Sequence, residues 1–297
     1  MRALCLVLLV ACGAHGARQG TTTPVAPRTQ AERALALLPD APQIVVEIDL
    51  ARLRANSVVG PVATDTLGRA SADTKLPGLP IEVAGSPLAS ADLVVLAAYG
   101  VGTAQAVTIT LLATKSEVAG AIRLGDEFVV LGPEEWTRQV EARAAIAARS
   151  PLMASAELLA LRDHAMPDKA PGAILHVTAQ LGFDARVALA RQLGIEVAPA
   201  RVSMWADVAD DFALIIDADA ADPGDKVKKT AVARMRSGLA KLVMLAANEP
   251  ALRVLGISSS LGETRFVEEG TWVRAIVAIG PRHLARVVER ARAMLGP

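Results

Sequence analysis

The stretch Asp92–Thr114, DLVVLAAYGVGTAQAVTITLLAT, predicts a β-hairpin in the first half of the chain. Two runs rich in valine, leucine, isoleucine and threonine, Asp92–Tyr99 and Ala106–Thr114, flank the short connection Gly100–Thr103. Such residues suit the pleated surface of a sheet, and a connection that contains glycine lets the chain reverse direction. The pattern therefore predicts a pair of antiparallel strands.

Strand-like and helix-like segments alternate on both sides of this hairpin. Further strands or hairpins are predicted at Gln43–Leu50, Ala121–Leu131, Ala173–Gln180, Val202–Val208, Phe212–Ile216 and Thr264–Ile279. Helices are predicted, mainly from the spacing of apolar residues, at Ala31–Leu38, Ala51–Asn56, Glu134–Ala148, Ser150–Ala165, Asp184–Leu193, Lys226–Ala247 and Pro281–Leu295. Asp49 is predicted to cap the helix Ala51–Asn56, and Ser57–Ser90 predicts a loop with short pieces of structure. The order predicts an α+β fold in which antiparallel sheets carry helices on one face.

One junction occurs twice in the chain. Leu131–Trp136 (LGPEEW) aligns with Ile279–Leu284 (IGPRHL), and in both an apolar strand runs into Gly-Pro and then a helix. Proline suits the start of a helix because its missing N–H has no partner to lose there. The match predicts two tandem repeats of one β-α-β-β-α-like unit, residues 31–149 and 150–297. Chance similarity of two strand–helix junctions is the alternative.

The composition suits an exported globular protein with a large core. Of 297 residues 52% are hydrophobic, and the mean hydropathy is +0.37. Basic and acidic residues number 31 each, so we expect no nucleic-acid partner. The two cysteines, Cys5 and Cys12, both lie in the first twelve residues. The rest of the chain is therefore held together without disulfides.

The first twelve residues, Met1–Cys12, have the sequence MRALCLVLLVAC and the anatomy of an export signal. Arg2 supplies a positive charge, Ala3–Val10 is an unbroken apolar run, and the small residue Ala11 precedes the cysteine. This order resembles the signal peptide of bacterial lipoproteins. The resemblance implies cleavage before Cys12 and acylation of its thiol, which is the nucleophile once it is ionised.

A transmembrane helix and an ordinary signal peptide are two other interpretations of this segment. A transmembrane helix needs about 20 apolar residues, more than this run contains. An ordinary cleaved signal peptide also accepts the small residues around Ala11–Gly13. The lipoprotein interpretation makes residues 1–11 a signal peptide and Cys12 the lipidation site. Acyl chains such as palmitate on Cys12 would then join the protein to membrane lipid.

Residues 12–30 predict a flexible tether, because they are small and polar, include proline and show no apolar period. Gly13 follows the cysteine where an aspartate would oppose outer-membrane sorting in enteric bacteria. The resemblance therefore implies the bacterial cell envelope, on the outer membrane and facing the periplasm. Leu37–Asn56, LLPDAPQIVVEIDLARLRAN, is similar to uncharacterised bacterial lipoproteins, and no activity comes with that resemblance.

Four aspartates, Asp217, Asp219, Asp222 and Asp225, resemble part of a calcium-binding loop. That loop needs glycine at its sixth position and glutamate at its twelfth, where this chain has Asp222 and Lys228. We expect a solvated loop in which Asp222 or Asp225 caps the helix that follows. A weak cation site is the alternative.

The remaining motifs predict no catalytic, cofactor-binding or metal-binding residue. Gly100–Gly102 lacks the third glycine and the following helix of a dinucleotide site, so it predicts a turn. The histidines, which have no zinc-binding spacing, are His15, His164, His176 and His283. Ser258–Ser260 lacks the glycine frame of a nucleophile elbow. Lipidation of Cys12 is the one site that the sequence predicts.

Aromatic and basic residues are candidates for a contact surface. Trp136 predicts a core anchor, whereas Trp205 and Trp272 are predicted to cover the outer face of the sheet or to mark a contact patch. Basic residues near the start of the longest predicted helix suggest a solvated face or a face for lipid headgroups: Lys226, Lys228, Lys229, Arg234 and Arg236.

Two functions from different classes fit the sequence. The first is a membrane-anchored envelope lipoprotein with a non-enzymatic binding or structural role, whose partner is an envelope protein, a lipid or the cell wall. The second is an envelope hydrolase with an active site assembled from distant residues. An apolar cleft favours the first function. A polar pocket with a nucleophile within hydrogen-bond reach of a base favours the second.

Overall fold

The computed structural model describes residues 29–69, 86–150, 152–170, 172–220 and 228–295. Its strands are β1 (Ile44–Asp49), β2 (Leu93–Tyr99), β3 (Val107–Ala113), β4 (Ile122–Leu124), β5 (Phe128–Leu131), β6 (Leu175–Gln180), β7 (Arg201–Val208), β8 (Phe212–Asp219), β9 (Arg265–Glu269) and β10 (Trp272–Ile279). They form one open sheet in the order β4-β5-β3-β2-β1-β6-β7-β8-β10-β9. Every neighbouring pair is antiparallel.

Helices occupy most of the remaining described residues. They are α1 (Gln30–Leu37), α2 (Leu50–Ala55), α3 (Gly60–Arg69), α4 (Ser86–Ser90), α5 (Glu134–Ala147), α6 (Ala156–His164), α7 (Phe183–Leu193), α8 (Lys228–Ala247), α9 (Pro250–Leu255), α10 (Ser258–Gly262) and α11 (Pro281–Leu295). The α+β class and the antiparallel sheet predicted from the sequence are confirmed. The hairpin of residues 92–114 is also confirmed, with Leu93 opposite Ala113 and Tyr99 opposite Val107.

The sheet has the same strand order in both halves of the chain. Counted outward from the centre, the first half gives β1-β2-β3-β5-β4 and the second gives β6-β7-β8-β10-β9. The two halves meet where β1 pairs with β6, Val46 lying opposite Val177. The structure therefore contains two equal topological halves, while gene duplication as their origin stays a prediction.

Helices cover both faces of the sheet, whereas the sequence predicted one covered face. On the front face, Val45, Val95 and Ile109 pack with residues of α1, α5 and α6. On the back face, Leu96 and Ile216 pack with residues of α8, α9 and α10. The reason lies in the inner strands, because all seven residues of β2 are buried. A strand without apolar–polar alternation must be covered on both sides.

The two Gly-Pro junctions lead their helices to opposite faces. Gly132 has a φ of 151°, and α5 then packs on the front face through Val140. After Gly280, α11 begins directly at Pro281 and packs through Leu284 against the back-face residues of a separate cluster, Val208 and Ile279. An added Cβ at Gly132 would lie 3.2 Å from the carbonyl oxygen of Thr108, whereas one at Gly280 would meet open space.

Local details partly match the predicted elements. Asp49 caps α2 as predicted, since its Oδ1 accepts a hydrogen bond from the backbone N–H of Arg52 at 2.7 Å. The segment predicted as a loop, Ser57–Ser90, contains α3 and α4. Its Gly60 and Pro61 mark the first turn of a helix rather than a loop, because proline is well tolerated there.

Replacement of a fully buried leucine tests the two-faced core. Leu112 on β3 has 0% of its surface exposed. We expect Leu112→Ala to lower the free energy of unfolding by about 2–5 kcal/mol, because the cavity that remains cannot close fully. Leu245→Ala, at a residue 45% exposed on α8, is the matched control and should change it by less than about 0.5 kcal/mol. Urea unfolding measures both, and equal losses would contradict this account of the core.

Candidate functional site

An apolar cavity of about 640 Å³ lies between α1, α5 and the β4–β5 hairpin. Its walls are formed mainly by small and aliphatic side chains and one phenyl ring: Ala36, Leu37, Leu124, Phe128, Ala144 and Ala147. The volume falls within the range of small-molecule sites, about 300–1,000 Å³. The cavity is therefore large enough for one ligand of modest size.

Alanines account for the space between the two helices. The end of α5 has the sequence AAIAA, and its Ala144, Ala147 and the following Ala148 line the cavity opposite Ala36 of α1. Larger side chains at these positions would fill the volume, since protein interiors otherwise pack without such gaps. The same alanine-rich stretch that favours a helix thus leaves an opening beside it.

Polar contacts at the rim hold the walls in place. The guanidinium of Arg33 on α1 donates two hydrogen bonds to Glu127 in the β4–β5 turn, at 2.5 and 3.0 Å, and Gln30 donates a third at 3.1 Å. On the other side, Arg143 of α5 donates to the carbonyl oxygen of Ala36 and to Asp40, each at 3.2 Å. These contacts join α1 to the β4–β5 turn and to α5 beside the cavity.

The mouth of the cavity is charged. Burial alone would raise the pKa of Glu127. The hydrogen bonds from Arg33 and Gln30 lower that pKa by more than burial raises it, so the net shift is downward and Glu127 is a carboxylate at neutral pH. Glu141 and Arg33 also line the cavity and are exposed, whereas the guanidinium of Arg123 is turned to the carbonyl oxygens of Thr114 and Ser116, both at 2.6 Å. Apolar walls under a charged mouth suit an amphiphile.

A buried polar network lies farther along the front face, beneath α6. Arg162 of α6 donates to both carboxylate oxygens of Glu47 on β1, at 2.8 and 3.0 Å. Burial raises the pKa of Glu47, and the charge of Arg162 offsets part of that rise. Ser203 joins the same network by accepting from the backbone N–H of Ala165 and donating to the carbonyl oxygen of Arg162. These contacts attach α6 to the sheet.

His176 lies in the same region and is kept neutral. Burial, and next the charge of Arg162, lower the pKa of its imidazole to about 3. Its Nδ1 atom is buried and has no hydrogen-bond partner among the described residues. A neutral, enclosed ring agrees with a core histidine on β6 rather than with a general base, which needs contact with a substrate.

A second ion-pair cluster surrounds the indole ring of Trp272. Asp217, 1% exposed, accepts two hydrogen bonds from Arg274, at 2.5 and 2.7 Å, and lies 2.8 Å from Nδ1 of His164. Trp272 stacks on His164 at a centroid distance of 4.0 Å and lies 5.2 Å from the guanidinium of Arg201. The guanidinium of Arg274 therefore neutralises the buried carboxylate of Asp217.

These positions correct the predicted aspartate loop. Asp217 and Asp219 are buried in β8, and Arg201 donates to Asp219 at 2.5 and 2.8 Å. The prediction of a solvated loop is therefore wrong for these two residues, because β8 extends three residues beyond the predicted strand. Asp222 and Asp225 lie outside the described residues. Across the described ranges, no cluster of three acidic, histidine or cysteine residues is placed to hold a metal ion.

One pair fits a nucleophile beside a base. The Oγ atom of Ser260 on α10 lies 3.1 Å from Nδ1 of His283 on α11, and Nε2 of His283 lies 2.7 Å from the carbonyl oxygen of Gly256. A carbonyl oxygen only accepts, so Nε2 donates to it, and in the neutral ring Nδ1 then accepts from the serine hydroxyl. Ser260 is only 5% exposed, however, which keeps a substrate away from its hydroxyl. The contact joins two helices.

The other predicted positions are distributed as follows. Gly100–Gly102 forms the β2–β3 turn, as predicted. Trp136 packs on Tyr99 at a centroid distance of 4.4 Å, whereas Trp205 is buried and donates to the carbonyl oxygen of Gly172, so its prediction as outer cover is wrong. Cys12, His15 and Lys226, and the side chains of Lys228 and Lys229, lie outside the described residues.

The arginines of the predicted basic face take part in ion pairs. Arg236 donates to Glu268 at 3.0 Å, and Arg234 lies 3.5 Å from Glu196. These pairs agree with a solvated helix face. Within the described ranges, no helix has both the length and the hydropathy that crossing a membrane requires.

Titration of His176 gives a measurable pH dependence. Its folded-state pKa of about 3 lies below the unfolded value near 6.5, so the unfolded chain binds the extra proton first. The stability tied to this residue is present above about pH 6.5 and is lost as pH falls toward 3, by at most about 1.4 kcal/mol per pH unit. We expect His176→Gln to remove this part of the acid slope in urea unfolding between pH 6.5 and 4. An identical slope in both proteins would contradict the burial of a neutral imidazole.

Comparisons with known proteins identify no family. No protein-family model and no curated protein matches the chain. Two solved structures of the Treponema protein TP0453, crystal forms I and III, are similar to it with TM-scores of 0.44 and 0.45 and sequence identities of 7% and 8%. Each comparison covers 86% of this chain and 96% of TP0453. A likeness this distant carries no argument about function.

Proposed function

We propose that this chain is a bacterial envelope lipoprotein, anchored through acyl chains on Cys12, that binds an amphiphilic ligand without catalysing a reaction. The expected location is the outer membrane, on the side that faces the periplasm. The observation that carries the binding role is the apolar cavity between α1, α5 and the β4–β5 hairpin. The resemblance of residues 1–12 to a lipoprotein signal with its cysteine supports the anchor.

The chemistry of the cavity favours a ligand with one acyl chain. Leu37, Leu124 and Phe128 offer apolar contact, and each methylene that such walls take from water contributes about 0.8 kcal/mol. A polar headgroup would remain at the mouth, beside the exposed Glu141 and the Arg33–Glu127 ion pair. Free fatty acids and single-chain lipids of the envelope have this form.

The position of the cavity also suits a tethered protein. Helix α1, which contributes Ala36 and Leu37 to the walls, is the first described helix after the tether predicted for residues 12–30. A coil of about 18 residues has a root-mean-square span of roughly 25 Å. The cavity would therefore work within a short distance of the membrane that supplies its ligand.

The envelope hydrolase is the second candidate, and the Ser260–His283 contact is the observation in its favour. Burial of Ser260 and the use of a backbone carbonyl to orient His283 both favour a structural role for that pair. The binding function is thus better supported than the hydrolase.

Filling the cavity tests the binding role. In the full chain carrying Cys12→Ser, a fluorescent long-chain fatty acid should bind, and Ala144→Phe should weaken that binding at least about tenfold because the ring occupies the site. Ala142→Phe is the matched control, since Ala142 is exposed on the same helix and does not line the cavity. Fluorescence titration gives the dissociation constants. Equal affinities of the two phenylalanine variants would exclude this cavity as the site.

Mass spectrometry tests the anchor separately. After extraction from membranes, we expect the mature N-terminal residue to be Cys12 with a diacylglyceryl group on its thiol. The Cys12→Ser chain should lose both the modification and the membrane association. Recovery of a water-soluble wild-type chain that still begins at Met1 would refute the anchor, without affecting the result for the cavity.

A further inference from the structure

The strand at one edge of the sheet, β9, has a sequence that could pair with a second copy of itself. Strand β9, Arg265–Glu269 (RFVEE), ends the strand order and is hydrogen-bonded to β10 on one side. Arg265, Val267 and Glu269 are exposed and alternate onto one face of the sheet, where 38% of the Val267 surface is exposed. Unpaired backbone groups at a sheet edge are a template for another strand.

The hairpin fixes which backbone groups face outward. Glu269 lies opposite Trp272 across a two-residue turn that starts at Gly270, with a φ of 62°. The residues that close such a turn are hydrogen-bonded to each other, and alternate residues then bond to the same neighbour. Arg265, Val267 and Glu269 therefore bond inward to β10. The N–H and C=O groups of Phe266 and Glu268 point to the open edge.

We propose that β9 pairs antiparallel with β9 of a second copy of this chain, about a two-fold axis at Val267. Phe266 then lies opposite Glu268 of the other copy, and each pair exchanges two backbone hydrogen bonds. On the exposed face, Arg265 lies opposite Glu269 of the other copy, twice by symmetry. Opposite charges directly across an antiparallel pair are stabilising, so the sequence RFVEE favours its own partner.

Charge also disfavours two other arrangements. An axis at Glu268 would place the two Glu268 side chains against each other, and parallel pairing would place Arg265 beside Arg265. Both arrangements set like charges opposite, which is destabilising. The other edge of the sheet is less suitable, because β4 has only three residues. The pairing at β9 would therefore join two chains.

Thiol trapping tests the axis. The full chain with Cys5→Ser and Cys12→Ser has no thiol, since these are its two cysteines. At the proposed axis, the two Val267 Cα atoms would be about 4.5 Å apart, within disulfide range. Val267→Cys should therefore form dimers under mild oxidation. Glu269→Cys is the matched control, because its thiols would be about 14 Å apart along the strands.

Charge reversal tests the register in the Val267→Cys chain. Arg265→Glu alone, or Glu269→Arg alone, should slow dimer trapping at least about tenfold, because like charges then face each other. The double variant Arg265→Glu, Glu269→Arg restores opposite charges and should regain the original rate, which a folding defect would not do. The proposal fails if Glu269→Cys is trapped as fast as Val267→Cys, if no dimer forms, or if the double variant does not recover. These outcomes depend neither on the acyl anchor at Cys12 nor on ligand binding in the cavity.

Discussion

Burial of the inner strands on both faces is the constraint on which the rest of this structure depends. All seven residues of β2 are buried, as are the last five of β3 and the last six of β8. An open antiparallel sheet with such strands needs a layer of helices in front and another behind. The two helical layers are unequal in size. The back face receives the long helix α8 with α9, α10 and α11, whereas the front face receives the shorter helices α1, α5 and α6.

The unequal cover explains where the polar and empty regions lie. In the first half, α1 and α5 meet through small side chains that leave a space between them, and ion pairs lie at its rim. In the second half α11 packs on the back, so the front of β8 and β10 is covered by α6 and by side chains. Arginine–carboxylate pairs occupy that region, with Asp217 held by Arg274 and Asp219 by Arg201. Buried carboxylates require such partners, because an isolated buried charge is very costly.

Sequence reasoning predicted the local elements better than their arrangement. The 92–114 hairpin, the cap at Asp49 and the helices of residues 134–148 and 281–295 follow from apolar spacing and turn residues, which are short-range signals. The second helical layer did not follow, although the unbroken run DLVVLAAY contains the reason for it. The cavity could not be predicted from the sequence, because three elements that are distant in sequence bound it. A sequence shows that Ala144 is small, but not that Ala36 lies across from it.

The glycines of the two Gly-Pro junctions differ in the substitutions that they tolerate. At Gly132 the backbone conformation and the nearby Thr108 carbonyl leave room for glycine alone, whereas Gly280 sits in open space. Gly280, which is one of the two glycines in the sequence match between the halves, can therefore be replaced without a steric clash. A substitution of Gly280 could remove the sequence match between the two junctions while every strand kept its neighbours. The strand order does not depend on that residue. A comparison of backbone structures is therefore a better way to find relatives of this chain than a comparison of sequences.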